Sequence, residues 1–163
     1  MIQAPEPLTA EHVLSGFDSG VASLDDWLTR RALPNQASGA SRTFVVRAAQ
    51  AVVAYCALTA SAVAPDAVPG RFRRNMPDPI PVVVLARLAI TRNHQSRGLG
   101  RALFQNAATR VIQAADIIGV RGLLVHAISE DAKAFYIGLG LDPSPIEPMT
   151  LMTTVADLKA TLV

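Results

Sequence analysis

Apolar positions along the chain alternate between two periods, and each change of period marks an element. Leu24, Trp27 and Leu28 recur at helical spacing and share one face. Ser23 stands in a capping position with Asp26 three residues on, so a helix is expected to begin there and to fade near Leu33, before Pro34. Residues 43–47 and 51–59 read as two strands around a short turn at Ala49-Gln50, a weak turn sequence. Residues 65–81 form a long connection holding five prolines and the cluster Arg71, Arg73 and Arg74. A loop of that length is expected to be functional or mobile. Residues 81–90 are an apolar strand interrupted by Arg87, and a glycine-bearing turn follows. A helix over 99–118 would carry Leu103, Ala107 and Val111 along one face. Residues 122–127 read as a buried strand. Ser129 caps a helix over 130–138 whose first turn is acidic, residues 149–154 read as a late strand, and the end as a short helix or tail. Helix, antiparallel strands, then strand-loop-helix-strand-helix-strand describe a mixed α+β domain. At 163 residues, a single domain over 1–163 is expected.

Composition narrows the class. Half the residues are hydrophobic and 17% are charged, which fits a packed globule and argues against disorder. No apolar run approaches the roughly 18 residues that cross a bilayer. Residues 1–11 lack the basic and apolar regions of a secretory leader, so a cytoplasmic protein with no membrane partner is expected. The single cysteine, Cys56, excludes an internal disulfide and a cysteine-based zinc cluster; it lies in an apolar stretch and reads as core, and no metal is expected.

Charge adds an asymmetry that the net value of +2 hides. From Arg30 to Arg121 there are 13 arginines and three acids, Asp66, Asp78 and Asp116; the first 29 residues hold five acids and no base. Arginine-rich coding accounts for the scarcity of lysine, but not for the scarcity of acids in the same span. A basic block of this kind points to a polyanionic partner, either a phosphorylated cofactor or nucleic acid.

The turn between the apolar strand and the long helix is Gln95-Ser96-Arg97-Gly98-Leu99-Gly100, followed by Arg101. Unpaired N–H groups at a helix N-terminus bind phosphate, and glycines let the backbone approach it. The turn is neither G-x-G-x-x-G with a downstream ribose-binding acid nor a Walker loop ending in Gly-Lys-Ser/Thr. It resembles the acetyl-CoA signature of GNAT acetyltransferases, Gln/Arg-x-x-Gly-x-Gly/Ala, in the strand-turn-helix setting of that family. Ala132, Phe135, Tyr136, Gly140 and Leu141 resemble the family's second motif, with Leu141 where Phe is common.

The resemblance implies a GNAT fold: a mixed, mostly antiparallel sheet flanked by helices. It implies acetyl-CoA held by Gln95, Ser96, Arg97, Gly98, Leu99, Gly100 and Arg101, with the backbone at Leu88, Ala89 and Ile90 meeting the acetyl and pantetheine carbonyls. It implies Tyr136 as the acid that protonates the leaving sulfur. A structural alternative for Tyr136 is a core residue with its hydroxyl on a backbone carbonyl.

A closer resemblance covers nearly the whole chain. Phe17-Asp18-Ser19-Gly20 before Leu24-Asp25-Asp26-Trp27-Leu28, together with Ser41-Arg42-Thr43-Phe44-Val45, Arg87-Leu88-Ala89 and the segment Pro143 to Met152, are similar to GNAT toxins of bacterial toxin–antitoxin pairs. This implies an enzyme that acetylates the α-amino group of aminoacyl-tRNA, a ribbon-helix-helix antitoxin as partner, and a homodimer. Ser19, Ala86 and Ser96 depart from the family's usual Cys, Gly and Gly.

No carboxylate stands out as a base. His126 ends a strand and is as readily a structural residue; His94 adjoins the phosphate turn. An α-amino group titrates near 8 and a lysine ε-amine near 10.4, so an absent base favours an aminoacyl ester over a lysine. Arg30, Arg31, Arg71, Arg73, Arg74, Arg87 and Arg92 are the candidate RNA contacts, each singly consistent with a solvated surface arginine. Two other functions stay open: acetylation of a small amine or peptide N-terminus, and a non-enzymatic CoA-binding module.

Overall fold

The computed structural model describes residues 1–162. Among the described residues seven strands and six helices follow one another as β1 (Glu6–Pro7), α1 (Ala22–Arg30), α2 (Ala32–Ser38), β2 (Arg42–Ala48), β3 (Ala51–Val63), α3 (Gly70–Arg73), β4 (Ile80–Ile90), α4 (Leu99–Ala115), β5 (Gly122–His126), α5 (Glu130–Gly138), β6 (Asp142–Pro143), β7 (Thr150–Thr154) and α6 (Val155–Leu162). The strands hydrogen-bond in the order β1-β2-β3-β4-β5-β7-β6. β4 and β5 are a parallel pair. Parallel neighbours need a long crossover, which α4 supplies. The β1–β2, β2–β3, β5–β7 and β6–β7 pairs are antiparallel, as the α+β reading expects.

The chain divides into two compact units, Met1–Thr59 with Ala86–Ala107, and Ala60–Leu85 with Ala108–Val163. The first has its own core of Leu8, Phe17, Leu24, Leu28, Val45 and Tyr55, with Trp27 packed against it. The Tyr55 hydroxyl donates to the Leu24 carbonyl at 2.6 Å, which satisfies the one polar atom on a fully buried ring. Burial pushes that phenol far above its ordinary pKa, so it stays protonated as a structural donor. The second unit packs Val68, Phe72, Ile80, Val82, Leu124 and Met152.

Three expectations need correction. α1 starts at Ala22, after Val21, and no side chain caps it. Ser23 is therefore not the cap. Instead the Ser19 hydroxyl donates to Asp25 at 2.6 Å and accepts the Val21 N–H at 3.2 Å, so serine and carboxylate lock the loop before the helix. The chain does not stay unwound at Pro34 either, because a second helix, α2, begins at Ala32. Pro34 lies in its first turn, where an N–H has no intrahelical acceptor and its loss costs nothing. Finally, the proline-rich connection is packed. It holds a turn of 3-10 helix at Pro65–Ala67 and the short α3, and it buries Val68 and Phe72. Arg121 donates to the Phe72 carbonyl at 2.7 Å and to that of Arg71 at 2.8 Å.

β3 runs to Val63, past the expected end at 59, and α4 stops at Ala115, short of 118. The short strands β1 and β6 carry no readable periodicity. Ser129 caps α5 as expected, accepting the Ala132 N–H at 3.1 Å.

Gly122 lies where β5 meets β7 and α3. A Cβ there would overlap the Thr153 carbonyl oxygen and come within 2.9 Å of the Phe72 ring. Gly122→Ala should lower stability by about 2 kcal/mol through overpacking. An unchanged urea midpoint would show that the backbone gives way freely.

Candidate functional site

The glycine turn belongs to the first unit and is built from the end of β4 outward. Thr91 accepts the Asp18 N–H on its hydroxyl at 3.2 Å and donates to the Asp18 carbonyl. The Arg92 N–H donates to the same carbonyl at 2.8 Å, and the Arg92 guanidinium to the Asp18 carboxylate at 3.1 Å. That guanidinium bond, with the Gly20 N–H, holds the Asp18 carboxyl below its ordinary range. The pair is therefore intact at neutral pH and lost only as acid protonates Asp18.

The Gln95 amide donates at 2.8 Å to the Ile90 carbonyl and at 2.9 Å to the Ser19 carbonyl. Its role is to clamp the end of β4 to the loop before α1. Ser96 follows with φ +62° and Gly98 with φ +79°, and α4 begins at Leu99. The first N–H groups of a helix lack intrahelical acceptors and carry partial positive charge, so the turn presents donors to an anion. A Cβ on Gly98 would meet nothing within 4 Å, so the backbone face there is open. Arg97 and Arg101 are exposed beside it. A phosphate-bearing group fits this cradle. His94 packs next to the turn with its Nδ1 buried and without a hydrogen-bond partner.

Ala89 is buried and Leu88 and Ile90 half-buried at the end of β4. Arg87 precedes them. Its guanidinium lies 4.8 Å from the centre of the Trp27 ring, and Trp27 stacks on Tyr55 with centroids 6.0 Å apart and planes 8° from parallel. The Arg87 Nε is buried without a hydrogen-bond partner. Sequence reasoning had no means of finding this stack, because residues 27, 55 and 87 are brought together only by the packing of α1 on the strands.

The second unit carries Tyr136. It sits on α5, 8% exposed, with its ring edge-on to Phe135 at 5.2 Å. Its backbone carbonyl accepts the Leu139 and Leu141 N–H groups, and Gly140, at φ +99°, makes that helix ending possible. The Gly140-Leu141 part of the second motif is thus a stop signal that fixes the C-terminal turn of α5. His126 is exposed at the end of β5, its Nδ1 3.0 Å from the Thr150 hydroxyl.

The arginines differ in how they are held. Arg71 is paired with Asp157, which raises its pKa further. Arg73 donates to the Val68 carbonyl at 3.1 Å. Arg92 is paired with Asp18. Arg30, Arg31 and Arg74 are exposed, and none of them forms an ion pair among the described residues. Among the described residues no group of three His, Cys, Asp or Glu could hold a metal ion, and no helix is long and apolar enough to cross a membrane.

Comparison with known proteins agrees with this geometry. The family model described as "Acetyltransferase (GNAT) family" matches residues 12–141. The chain is 46% identical over 157 residues to a tRNA-acetylating toxin of Mycobacterium tuberculosis, covering 96% of this chain and 95% of that protein. The structure of AtaT complexed with acetyl-methionyl-tRNAfMet superposes with a TM-score of 0.91 at 27% identity, covering 100% of each chain. An AtaT variant bound to the C-terminus of the antitoxin AtaR and acetyl-CoA gives a TM-score of 0.84 at 27% identity, covering 98% of this chain and 97% of that one. A phosphate-ready turn between an apolar strand and a long helix, a tyrosine on the following helix and a family match over most of the chain agree, and this protein belongs to the GNAT family of acetyltransferases.

Proposed function

We propose that the protein transfers acetyl from acetyl-CoA to the α-amino group of aminoacyl-tRNA, and so stops translation as the toxin of a toxin–antitoxin pair. The observation that carries the cofactor half is the turn opening α4, with Gly98 in the left-handed region and nothing facing it. Residues 95–101 hold the pyrophosphate, and the backbone of Leu88, Ala89 and Ile90 receives the acyl arm. The substrate half is supported by the similarity to the tRNA-acetylating toxin of Mycobacterium tuberculosis and by the acetyl-methionyl-tRNA bound to AtaT.

When bound, the cosubstrate supplies an acetyl thioester. The neutral amine forms the new C–N bond as the C–S bond breaks, and the departing sulfur takes the proton of the Tyr136 phenol. A phenol with a reference pKa near 10 is protonated at neutral pH and suited to that donation. The proton lost by the amine passes to water. An aminoacyl ester amine, more acidic than a free α-amino group, needs no strong base to be neutral at pH 7.

Arg30, Arg31 and Arg74 meet tRNA phosphates as exposed cations. Arg87, half-buried and held against the Trp27 ring, adds a pre-ordered cation. Arg71, Arg73 and Arg92 are held within their own units and serve as secondary contacts. The antitoxin-bound AtaT structure supports an antitoxin partner, which we take to be of the ribbon-helix-helix type. A cytoplasmic homodimer completes the reading, in keeping with a tRNA substrate.

Gly98→Ala should weaken acetyl-CoA binding at least tenfold by calorimetry and lower stability by about 1–2 kcal/mol, the cost of a Cβ in the left-handed region. Gly16→Ala, with φ +85° and equally open space, is the control: a similar stability loss with affinity intact. Equal affinities for both variants would remove the turn from the site.

Tyr136→Phe keeps the ring packing and deletes the hydroxyl. Turnover should fall by about 10²–10⁴-fold with acetyl-CoA binding nearly unchanged. A variant that acetylates at the parental rate would make the hydroxyl structural.

Labelled acetyl-CoA should mark charged tRNA and leave uncharged tRNA blank. Arg31→Gln and Arg74→Gln should each reduce the log–log salt dependence of tRNA binding by about 0.7–0.9. No transfer to any member of a complete charged set, from protein that binds acetyl-CoA, would overturn the substrate assignment in favour of a small amine.

A further inference from the structure

Lys133 carries a charge that none of the steps above uses. Lysine occurs only twice in the chain, at 133 and 159, and Lys133 is the one lysine or arginine between Arg121 and Lys159. Five acids share that stretch: Glu130, Asp131, Asp142, Glu147 and Asp157. The segment that delivers Tyr136 is therefore acidic, with a single cation of this kind in it. None of the acids holds that cation. Glu130 stands three residues earlier on the same helix, a spacing at which ion pairs form, yet Lys133 makes no ion pair among the described residues. Asp157 is taken by Arg71. A half-buried lysine lays its methylene stem on the protein and keeps its ammonium free to act elsewhere.

Position decides what the ammonium meets. Residues three apart on a helix are neighbours, with Cβ atoms about 5–6 Å apart. Helical side chains lean towards the N-terminus and cover the turn before their own Cα, so Tyr136 leans towards Lys133. The tyrosine is buried and packed edge-on against Phe135, which restricts its ring. It lies in the last turn of α5, where the helix dipole is negative. β7 packs against α5 and carries no ionisable side chain.

The acid step leaves charge in an unfavourable place. As the C–S bond breaks, the phenol O–H bond breaks and a thiol S–H bond forms. The electron pair stays on the Tyr136 oxygen until solvent returns the proton that the amine released. A phenolate near a helix C-terminus, in an acidic segment, is destabilised. We propose that Lys133 acts through Tyr136, its ammonium offsetting the phenolate formed when that hydroxyl gives its proton to the departing sulfur. The assignment rests on the reading of Tyr136 as the acid. This attraction exists only once charge has developed, so it raises kcat and leaves ground-state binding alone. It needs a positive charge at that place and not a fork of donors, so arginine can stand in for lysine.

The test is a double-mutant cycle read as kcat at saturating acetyl-CoA, with whichever acceptor the labelling assay selects, charged tRNA or small amine. Lys133→Met keeps the stem and removes the charge. It should lower kcat by about three- to thirtyfold, the effect of one charge a few ångströms away in a partly solvated site, and leave acetyl-CoA affinity by calorimetry unchanged. Lys133→Arg should recover most of the rate. In the Tyr136→Phe background no phenolate forms, so adding Lys133→Met should change kcat by less than about twofold. Lys133→Gln is the second variant, should the methionine fold poorly. Losses that multiply in the double variant give Lys133 a role of its own and overturn the proposal, as does a loss of acetyl-CoA affinity with kcat intact. A slow Tyr136→Phe beside a full-rate Lys133→Met overturns the proposal alone. A full-rate Tyr136→Phe overturns it together with the acid assignment.

Discussion

The glycine turn that opens α4 is fixed to the rest of its unit through one side-chain amide and the bonds around it. Gln95 donates to the carbonyls of Ile90 and Ser19, and so ties the end of β4 to the loop that enters α1. Asp18, Thr91 and Arg92 surround it with four further bonds between the same two segments. A helix N-terminus binds an anion only if its N–H groups are aimed beforehand, because ordering the turn at the moment of binding would subtract from affinity. In this turn the glutamine serves the geometry, while Gly98 and the amides that open α4 are left with an open backbone face.

A second constraint lies in the same unit. Tyr55, Trp27 and Arg87 form a stack whose base is anchored by the Tyr55 hydroxyl on Leu24. The stack removes most rotamer freedom from a long cationic side chain before any ligand arrives. It also explains why a charged residue interrupts an otherwise apolar strand: the pleat directs Arg87 onto the face of an indole, where a guanidinium is well accommodated. Pre-ordered arginine suits recognition of a fixed phosphate, whereas exposed Arg30, Arg31 and Arg74 suit a looser electrostatic footing.

Most of the fold was legible because period and punctuation agreed. Residues 99–115 repeat at helical spacing after a glycine, Ser129 precedes an acidic turn, and residues 122–126 are a short apolar run. The misreadings share a cause. Ser23 satisfies a local capping rule, but Ser19 and Asp25 meet across a loop whose shape depends on Thr91, 73 residues from Asp18, and on Gln95, 76 residues from Ser19. Pro34 is a stop signal in isolation and an acceptable first-turn residue once Arg31 restarts the helix. The proline-rich connection read as a functional or mobile loop because Val68 and Phe72 carry no periodicity, and their burial depends on partners such as Ile80 and Leu124. At the candidate site the glycine turn and Tyr136 could be found from the sequence through their motifs. The division of labour within the turn and the arginine stack could not, since each is a long-range juxtaposition.

Ser96 is one of three non-glycine residues with positive φ among the described residues, and it sits between the Gln95 clamp and Gly98. Its conformation has a bearing on how the sequence can drift. Substitution by glycine, asparagine or aspartate keeps a left-handed backbone accessible, while valine, isoleucine or threonine would force the turn open and carry the following amides away from their target. Position 96 is therefore a narrow gate in sequence space, open only to the few residue types that reach a left-handed backbone without strain.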